Sequence, residues 1–262
     1  MNLNKPHIYL YSLSPSFPKS DLVDMVEAMQ IQATDHFKPV WGIDIKYHLV
    51  DSALDVPVGE WYMVLQDTID LEGANGYHWL DTKGVPVAYI LAKDNANLAV
   101  TATHEGIELA TNAYINKVAN AKKIDGIDGE NVDYLVEVAD VTYADYGYFI
   151  TVSSGKQIKV TDFYYPAFFY GTGIGNNVKY SHTDLPKAPR ELADGGYLSY
   201  YDVKGEIWTA VKAEGRVRVN KASEKLGVEP QTLQYALIAL GVLLLALLLY
   251  FLLKKTKNNE NS

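Results

Sequence analysis

With 262 residues, 48% of them hydrophobic and 21% charged, the chain has enough apolar material for one sizeable domain or two small ones. It contains no cysteine, which excludes a disulfide framework, a thiolate nucleophile and a Cys-based zinc site. The net charge of −9 argues against nucleic acid as a partner, the more so because residues 1–211 hold 28 of the 32 acidic and only 15 of the 23 basic residues.

The first strand is expected at residues 7–13, HIYLYSL, an alternating run that Pro15 ends. Ser20 is placed to cap a helix reaching Phe37, with Leu22, Met25, Val26, Met29, Ala33 and Phe37 as its apolar stripe and Pro39 as its stop. Residues 40–50 and 60–70 read as two strands separated by the turn-rich DSALDVPVG. His48, in the first of them, reads as a surface residue without a role. GYHWL at 76–80 and residues 85–93 read as a hairpin turned by DTKG. On its first arm, His78 is expected to make an ordinary cross-strand polar pair, although such an edge strand can also border a cleft.

Residues 97–118, NLAVTATHEGIELATNAYINKV, carry most of the functional information. At about 100° per residue, Val100, Ile107, Thr111, Tyr114, Ile115 and Val118 fall on one side of a helix, with His104 in that stripe and Glu108 at its edge. His104 and Glu108, four apart, converge on one point, and Glu105 lies about a quarter-turn away. Groups of this kind on a core-facing side need a partner, which is either a polar pair closing the core or a bound cation. The spacing is that of H-E-x-x-H with the second ligand replaced by a carboxylate. A His with carboxylates holds Zn²⁺, and oxygen ligands also open the site to Mn²⁺, Mg²⁺ or Ca²⁺. Gly106 costs the helix about 1 kcal/mol relative to Ala, which suggests that something approaches that turn closely.

After a Gly- and Asp-rich loop, KKIDGIDGEN, residues 134–141, YLVEVADV, read as a strand interrupted by Glu137 and Asp140. Either acid can supply a third metal ligand; three apart, they point to opposite faces of a regular strand unless a bulge intervenes. A hairpin at 148–153 and 156–163 leads into TDFYYPAFFYG, an aromatic corner expected to support the helix. GTGIGNN reads as a loop, and 182–201 as irregular with a turn at GGY. Residues 212–234 are expected to form a basic helical stalk, 235–253 a transmembrane helix without a single charge, and 254–262 a short basic tail. The lipid bilayer is therefore an expected partner. With neither a basic start nor an apolar run near residue 1, the chain reads as tail-anchored, its acidic domain in the cytoplasm or a virion interior.

Several separated segments resemble a family of uncharacterised bacterial and phage zincin-like proteins. They are Trp41-Gly42, Gly76-Tyr77-His78, THEGIELATN at 103–112, VEVAD at 136–140, FYYPAFF at 163–169 and Gly195-Gly196-Tyr197. The likeness spans roughly residues 20–200 and implies an α+β fold, with a zincin-like mixed sheet, an N-terminal helix and a central HExxE helix. It departs at Asn112, where an acid is usual, and at Val141, where proline commonly follows. Two functions stay open. One is a membrane-anchored hydrolase of peptide or protein substrates in which His104 and Glu108, with Glu137 or Asp140, hold Zn²⁺ and Glu105 is the base; Tyr164, Tyr165 or His182 would face the oxyanion. The other is a non-catalytic structural or interaction protein, such as a virion membrane protein, that keeps the fold.

Overall fold

The computed structural model describes residues 6–71, 73–124, 130–140, 147–171 and 178–221. Five short strands form the first sheet: β1 (His7–Ser12), β2 (Lys46–Leu49), β3 (Trp61–Gln66), β4 (Gly76–Leu80) and β5 (Pro86–Leu91). Their order is β2-β1-β3-β5-β4. The first four are parallel, and the edge strand β4 alone runs antiparallel, His78 opposite Ala88. β1, β3 and β5 are apolar on both faces because both are covered: Ile8, Leu10, Met63 and Ile90 enter the main core, while Tyr11, Val64 and Val87 form a cluster of their own.

Parallel β1 and β2 need a long crossover. Helix α1 (Lys19–Ile31) supplies it, followed by a π-helical turn at Gln32–Phe37 and the short helix α2 (Lys38–Trp41). The helix therefore starts beyond Pro18, without a Ser20 cap, and runs through Pro39. Pro39 follows directly on the π-helical turn, whose last backbone bond runs from Lys38 N–H to the Ala33 carbonyl, so the missing N–H falls where the hydrogen-bond ladder has already shifted register. Left-handed Gly42 closes α2 at φ 70°, so strand structure begins only at Lys46, not at residue 40.

The hairpin β4–β5 delivers the chain to α3 (Leu98–Asn112), which is buried on nearly every side and packs on β4, β5 and α1. Asn112 ends it six residues earlier than the apolar pattern predicts. Its Oδ1 accepts from the backbone N–H groups of Asn116 (2.9 Å) and Lys117 (2.7 Å), and Ile115 takes a left-handed conformation at φ 49°. Tyr114 and Val118 consequently lie outside the helix and are part-exposed, not core. Next come β6 (Val118–Lys122) and β7 (Asn131–Leu135), then the hairpin β8 (Gly147–Thr151) with β9 (Gln157–Thr161), and the short helix α4 (Pro166–Tyr170). Strands β10 (Tyr197–Tyr201), β11 (Ile207–Ala213) and β12 (Arg216–Lys221) complete a second sheet of order β12-β11-β10-β7-β6.

Two expectations change here. Residues 212–221 are strand, not helical stalk, because Glu214 (φ 52°) and Gly215 (φ 72°) make a two-residue turn of the kind that closes hairpins. The turn expected at GGY is present, with Gly195 at φ 84° and Gly196 N–H donating to the Ala193 carbonyl, but Tyr197 opens a strand where 197–201 is expected to be irregular. The architecture is mixed α+β, with one compact unit at Met1–Val219; the second, Asn220–Ser262, is described only at Asn220 and Lys221. The 235–253 segment and the tail lie outside the described residues, as do half of the Gly- and Asp-rich loop, residues 125–129, and most of GTGIGNN. Among the described residues, no helix is long and apolar enough to cross a membrane.

Gly106 does admit a close neighbour. A Cβ there would lie 2.6 Å from the Tyr47 hydroxyl and 3.2 Å from Met29 Cε. The Tyr47 hydroxyl is buried without a hydrogen bond. Gly106→Ala is therefore expected to cost about 1–3 kcal/mol in chemical denaturation, despite the better helix propensity of Ala, and Tyr47→Phe in the same chain to recover part of it.

His182 stacks on His36 (4.5 Å) and against Tyr148 and Phe163. Burial, with His36 and Lys179 nearby, lowers its pKa to about 4. The unfolded chain then binds more protons than the folded one between about 4 and 6.5, so this contribution is complete above 6.5 and lost as pH falls through 4. The melting temperature should drop across that window, and less steeply in His182→Phe.

Candidate metal centre

Little more than one turn of α3 sets the first half of the site. His104 Nε2 is 3.2 Å from Glu108 Oε2, the i,i+4 convergence expected from the sequence, and 4.0 Å from Glu105 Oε1. Glu105 lies beneath β4 because Gly76 leaves room for it; a Cβ on Gly76 would meet Thr101 Cγ2 at 2.8 Å and Glu105 Cγ at 3.0 Å. The helix is fixed against β9 by Thr103 Oγ1, which accepts from the Thr161 N–H at 2.9 Å.

The second half comes from residues 136–140, which are not strand. β7 ends at Leu135, and the backbone beyond it is held by other elements. Val136 N–H donates to the Lys117 carbonyl, and Val138 C=O accepts from Tyr164 N–H. The Ala139 and Asp140 N–H groups donate to Glu108 Oε1 at 2.8 and 3.0 Å. Released from the two-residue alternation of a strand, Glu137 and Asp140 both turn to the site. Asp140 Oδ1 is 3.1 Å from His104 Nε2 and accepts from the Tyr197 hydroxyl at 2.5 Å. Glu137 Oε1 accepts from Asn112 Nδ2 at 2.7 Å.

His78 completes the cluster, and the cross-strand pairing expected for it is not what its ring does. It is 8% exposed. Nδ1 is 3.3 Å from Glu105 Oε2 and 3.9 Å from Glu108 Oε2, while Nε2 lies 3.6 Å from Glu137 Oε2. G-Y-H preceding the HExxE helix was the available signal. Position in an edge strand concealed it, because pleat direction does not say what lies beneath.

Four carboxylates and two imidazoles thus share one buried space. Burial opposes charge on both histidines, yet the carboxylates prevail: Glu105, Glu137 and Glu108 push His78 up to about 9, and Glu108 and Asp140 raise His104 well above its usual range. Burial and the neighbouring Glu108 raise Asp140 to about 6 and Glu137 well above the carboxylate range. Glu108 goes the other way: burial opposes its charge, but His104, His78 and the Ala139 N–H hold it low.

The donor set fits a cation. His104, Glu108 and Asp140 form one group, and His78, Glu105 and Glu108 another, whose candidate ligand atoms all lie within 4.8 Å of one another. Ligands about 2.0–2.1 Å from tetrahedral Zn²⁺ are about 3.4 Å apart, close to the 3.1 and 3.2 Å seen around His104 Nε2. His78 Nε2 and Glu137 Oε2 are buried with no hydrogen bond. Of the sequence-derived residues, His104, Glu105, Glu108, Glu137 and Asp140 all reach this space. The rings of the suggested oxyanion donors pack on other aromatics, His182 on His36 and Tyr148, Tyr164 on Phe168 and Tyr165 against Phe163. Tyr197, from GGY, stands at the site instead. No family model, curated protein or solved structure matches this chain, so its function is read from the chemistry of the site.

Asn112 joins the end of α3 to Glu137. Replacing it with Ala removes four hydrogen bonds, one of them long, and leaves a buried carboxylate oxygen without its donor, so Asn112→Ala should lose about 2–4 kcal/mol by urea denaturation.

Proposed function

We propose that this chain is a zincin-like, metal-dependent hydrolase of peptide bonds, with Zn²⁺ held by His104, Glu108 and Asp140 and with Glu105 as the base. The observation that carries this reading is the meeting of His104 Nε2, Glu108 Oε2 and Asp140 Oδ1, with a carboxylate oxygen of Glu105 4.0 Å from the same imidazole nitrogen. A divalent cation at those atoms supplies the charge that polarises water and a scissile carbonyl. Glu105 accepts the proton, in an orientation fixed by its packing under Gly76. The Tyr197 hydroxyl, beside Asp140, donates to the developing oxyanion. Glu108 Oε1 is occupied by two backbone N–H groups, which leaves Oε2 as the ligand oxygen.

The mixed sheet with an antiparallel edge strand beside the HExxE helix supports the zincin-like likeness. It also supports an extended peptide as the substrate. β4 is the sheet edge, Trp79 on it is 57% exposed, and a peptide added to that edge would run past Glu105. Residues 235–253 anchor the protein in a bilayer as a single span, with the acidic domain on the cytoplasmic side or within a virion. One observation favours the non-catalytic reading: His104 lies 3.1 Å from Asp140 and His78 3.3 Å from Glu105, so each imidazole has a carboxylate partner within the protein.

Glu105→Gln separates the two. Hydrolysis of a peptide library should fall by about 10²–10⁴ while the His104 site keeps its zinc, measured by plasma mass spectrometry. Wild-type protein that is well folded and zinc-loaded yet cleaves nothing would favour the structural role. Saturating zinc should also raise the melting temperature of the wild type, and His104→Ala should abolish most of that rise.

A further inference from the structure

We infer that a second divalent cation binds beside the first, at His78 Nδ1, Glu105 and Glu108, and that it inhibits hydrolysis by occupying the base. The inference rests on the metal-dependent reading above. His78 belongs to β4, not to α3, so its presence does not follow from the HExxE spacing. Its ring is bracketed on both sides by acids. Nδ1 faces Glu105 Oε2 at 3.3 Å and Glu108 Oε2 at 3.9 Å, and Nε2 faces Glu137 Oε2 at 3.6 Å. Nε2 and Glu137 Oε2 are both buried without a hydrogen bond, although each points at the other. That arrangement is the outer part of a carboxylate–histidine–metal relay drawn slightly open: a metal on Nδ1 fixes the N–H on Nε2, aimed at Glu137. Asn112 already holds the far oxygen of Glu137, so the series Asn112, Glu137, His78 ends where the ion would sit.

Charge count agrees. As metal ligands the two imidazoles are neutral, and the four acids Glu105, Glu108, Glu137 and Asp140 balance two divalent cations. Glu108 Oε2 is common to both ligand groups, since its other oxygen is held by Ala139 and Asp140 N–H, so the two ions share one ligand atom. The second site is the weaker one, because it takes that shared oxygen and Glu105, whose other oxygen faces His104. A cation on Glu105 Oε2 withdraws charge from the whole carboxylate and lowers the proton affinity of Oε1, the oxygen that faces His104. Filling the second site therefore weakens the base.

The test is equilibrium dialysis of the full-length protein against graded Zn²⁺, with metal counted by plasma mass spectrometry and peptide hydrolysis followed in parallel. The expected result is two equivalents in the wild type, filled in two steps, with hydrolysis rising over the first and falling at least tenfold over the second. His78→Ala should bind one equivalent and lose the fall; Glu108→Ala, at the shared oxygen, should bind neither ion. Circular dichroism checks folding, and His78→Gln replaces the Ala variant if that one is unfolded. A wild type that stops at one equivalent overturns the second site and leaves the hydrolase reading standing. Two equivalents retained in a folded His78 variant place the second ion elsewhere and overturn it equally. Two equivalents in the wild type and one in the His78 variant, without a fall in hydrolysis over the second step, overturn the inhibitory role. No metal at all in the wild type overturns both readings.

Discussion

The structure depends most on the buried carboxylate of Glu108. Its Oε1 accepts two backbone N–H groups from residues 139 and 140, and its Oε2 faces His104 and His78. A carboxylate this deep is unfavourable unless its lone pairs are answered, and these contacts answer them with donors from three separate parts of the chain. The same bonds give the 136–140 segment its course. Those amides would otherwise need a β-ladder, and a ladder would send one of Glu137 and Asp140 away from the helix.

Around that contact the supporting parts have one effect in common, which is to remove freedom from the charged side chains. Gly76 lets β4 lie on Glu105, Gly106 lets Tyr47 lie on the back of the helix, and Thr103 fastens α3 to β9. Asn112 ends the helix and grips Glu137 with the same side chain. The aromatic corner of Phe163, Tyr164, Phe168 and Phe169 is fully buried, and Trp41 Nε1 donates to the Tyr164 carbonyl, next to the bond from Tyr164 N–H to Val138. Charged groups held so firmly cannot move to relieve their mutual repulsion. The remaining ways are proton uptake, toward which burial and Glu108 push Asp140 and Glu137, and a cation.

Much of this was legible in sequence where the deciding interactions are local. Hairpins β4–β5 and β8–β9, strand β1 and the helix bearing His104 and Glu108 follow from alternation, turn residues and helical period. Boundaries were misread where one side chain overrides the pattern: Asn112 ends α3 while apolar spacing continues, and Gly42 delays β2. The stalk expected at 212–234 fails in its first part because the Glu214-Gly215 turn outweighs basic composition. His78 and Tyr197 reach the site from two different sheets. No spacing along the chain connects them to His104.

The sequence by itself determined the inventory and the local geometry: no thiols, an acidic domain, and a His–carboxylate pair that four-residue spacing puts on one helix face. Tertiary structure alone decided the rest. It brought both Glu137 and Asp140 inward, placed His78 between Glu105 and Glu137, and put Tyr197 beside Asp140 in place of the more conspicuous aromatics. The physical reason is that helix and strand periods are set by neighbours within about four residues, whereas these groups meet only because buried backbone and side-chain polar atoms must find partners across the core.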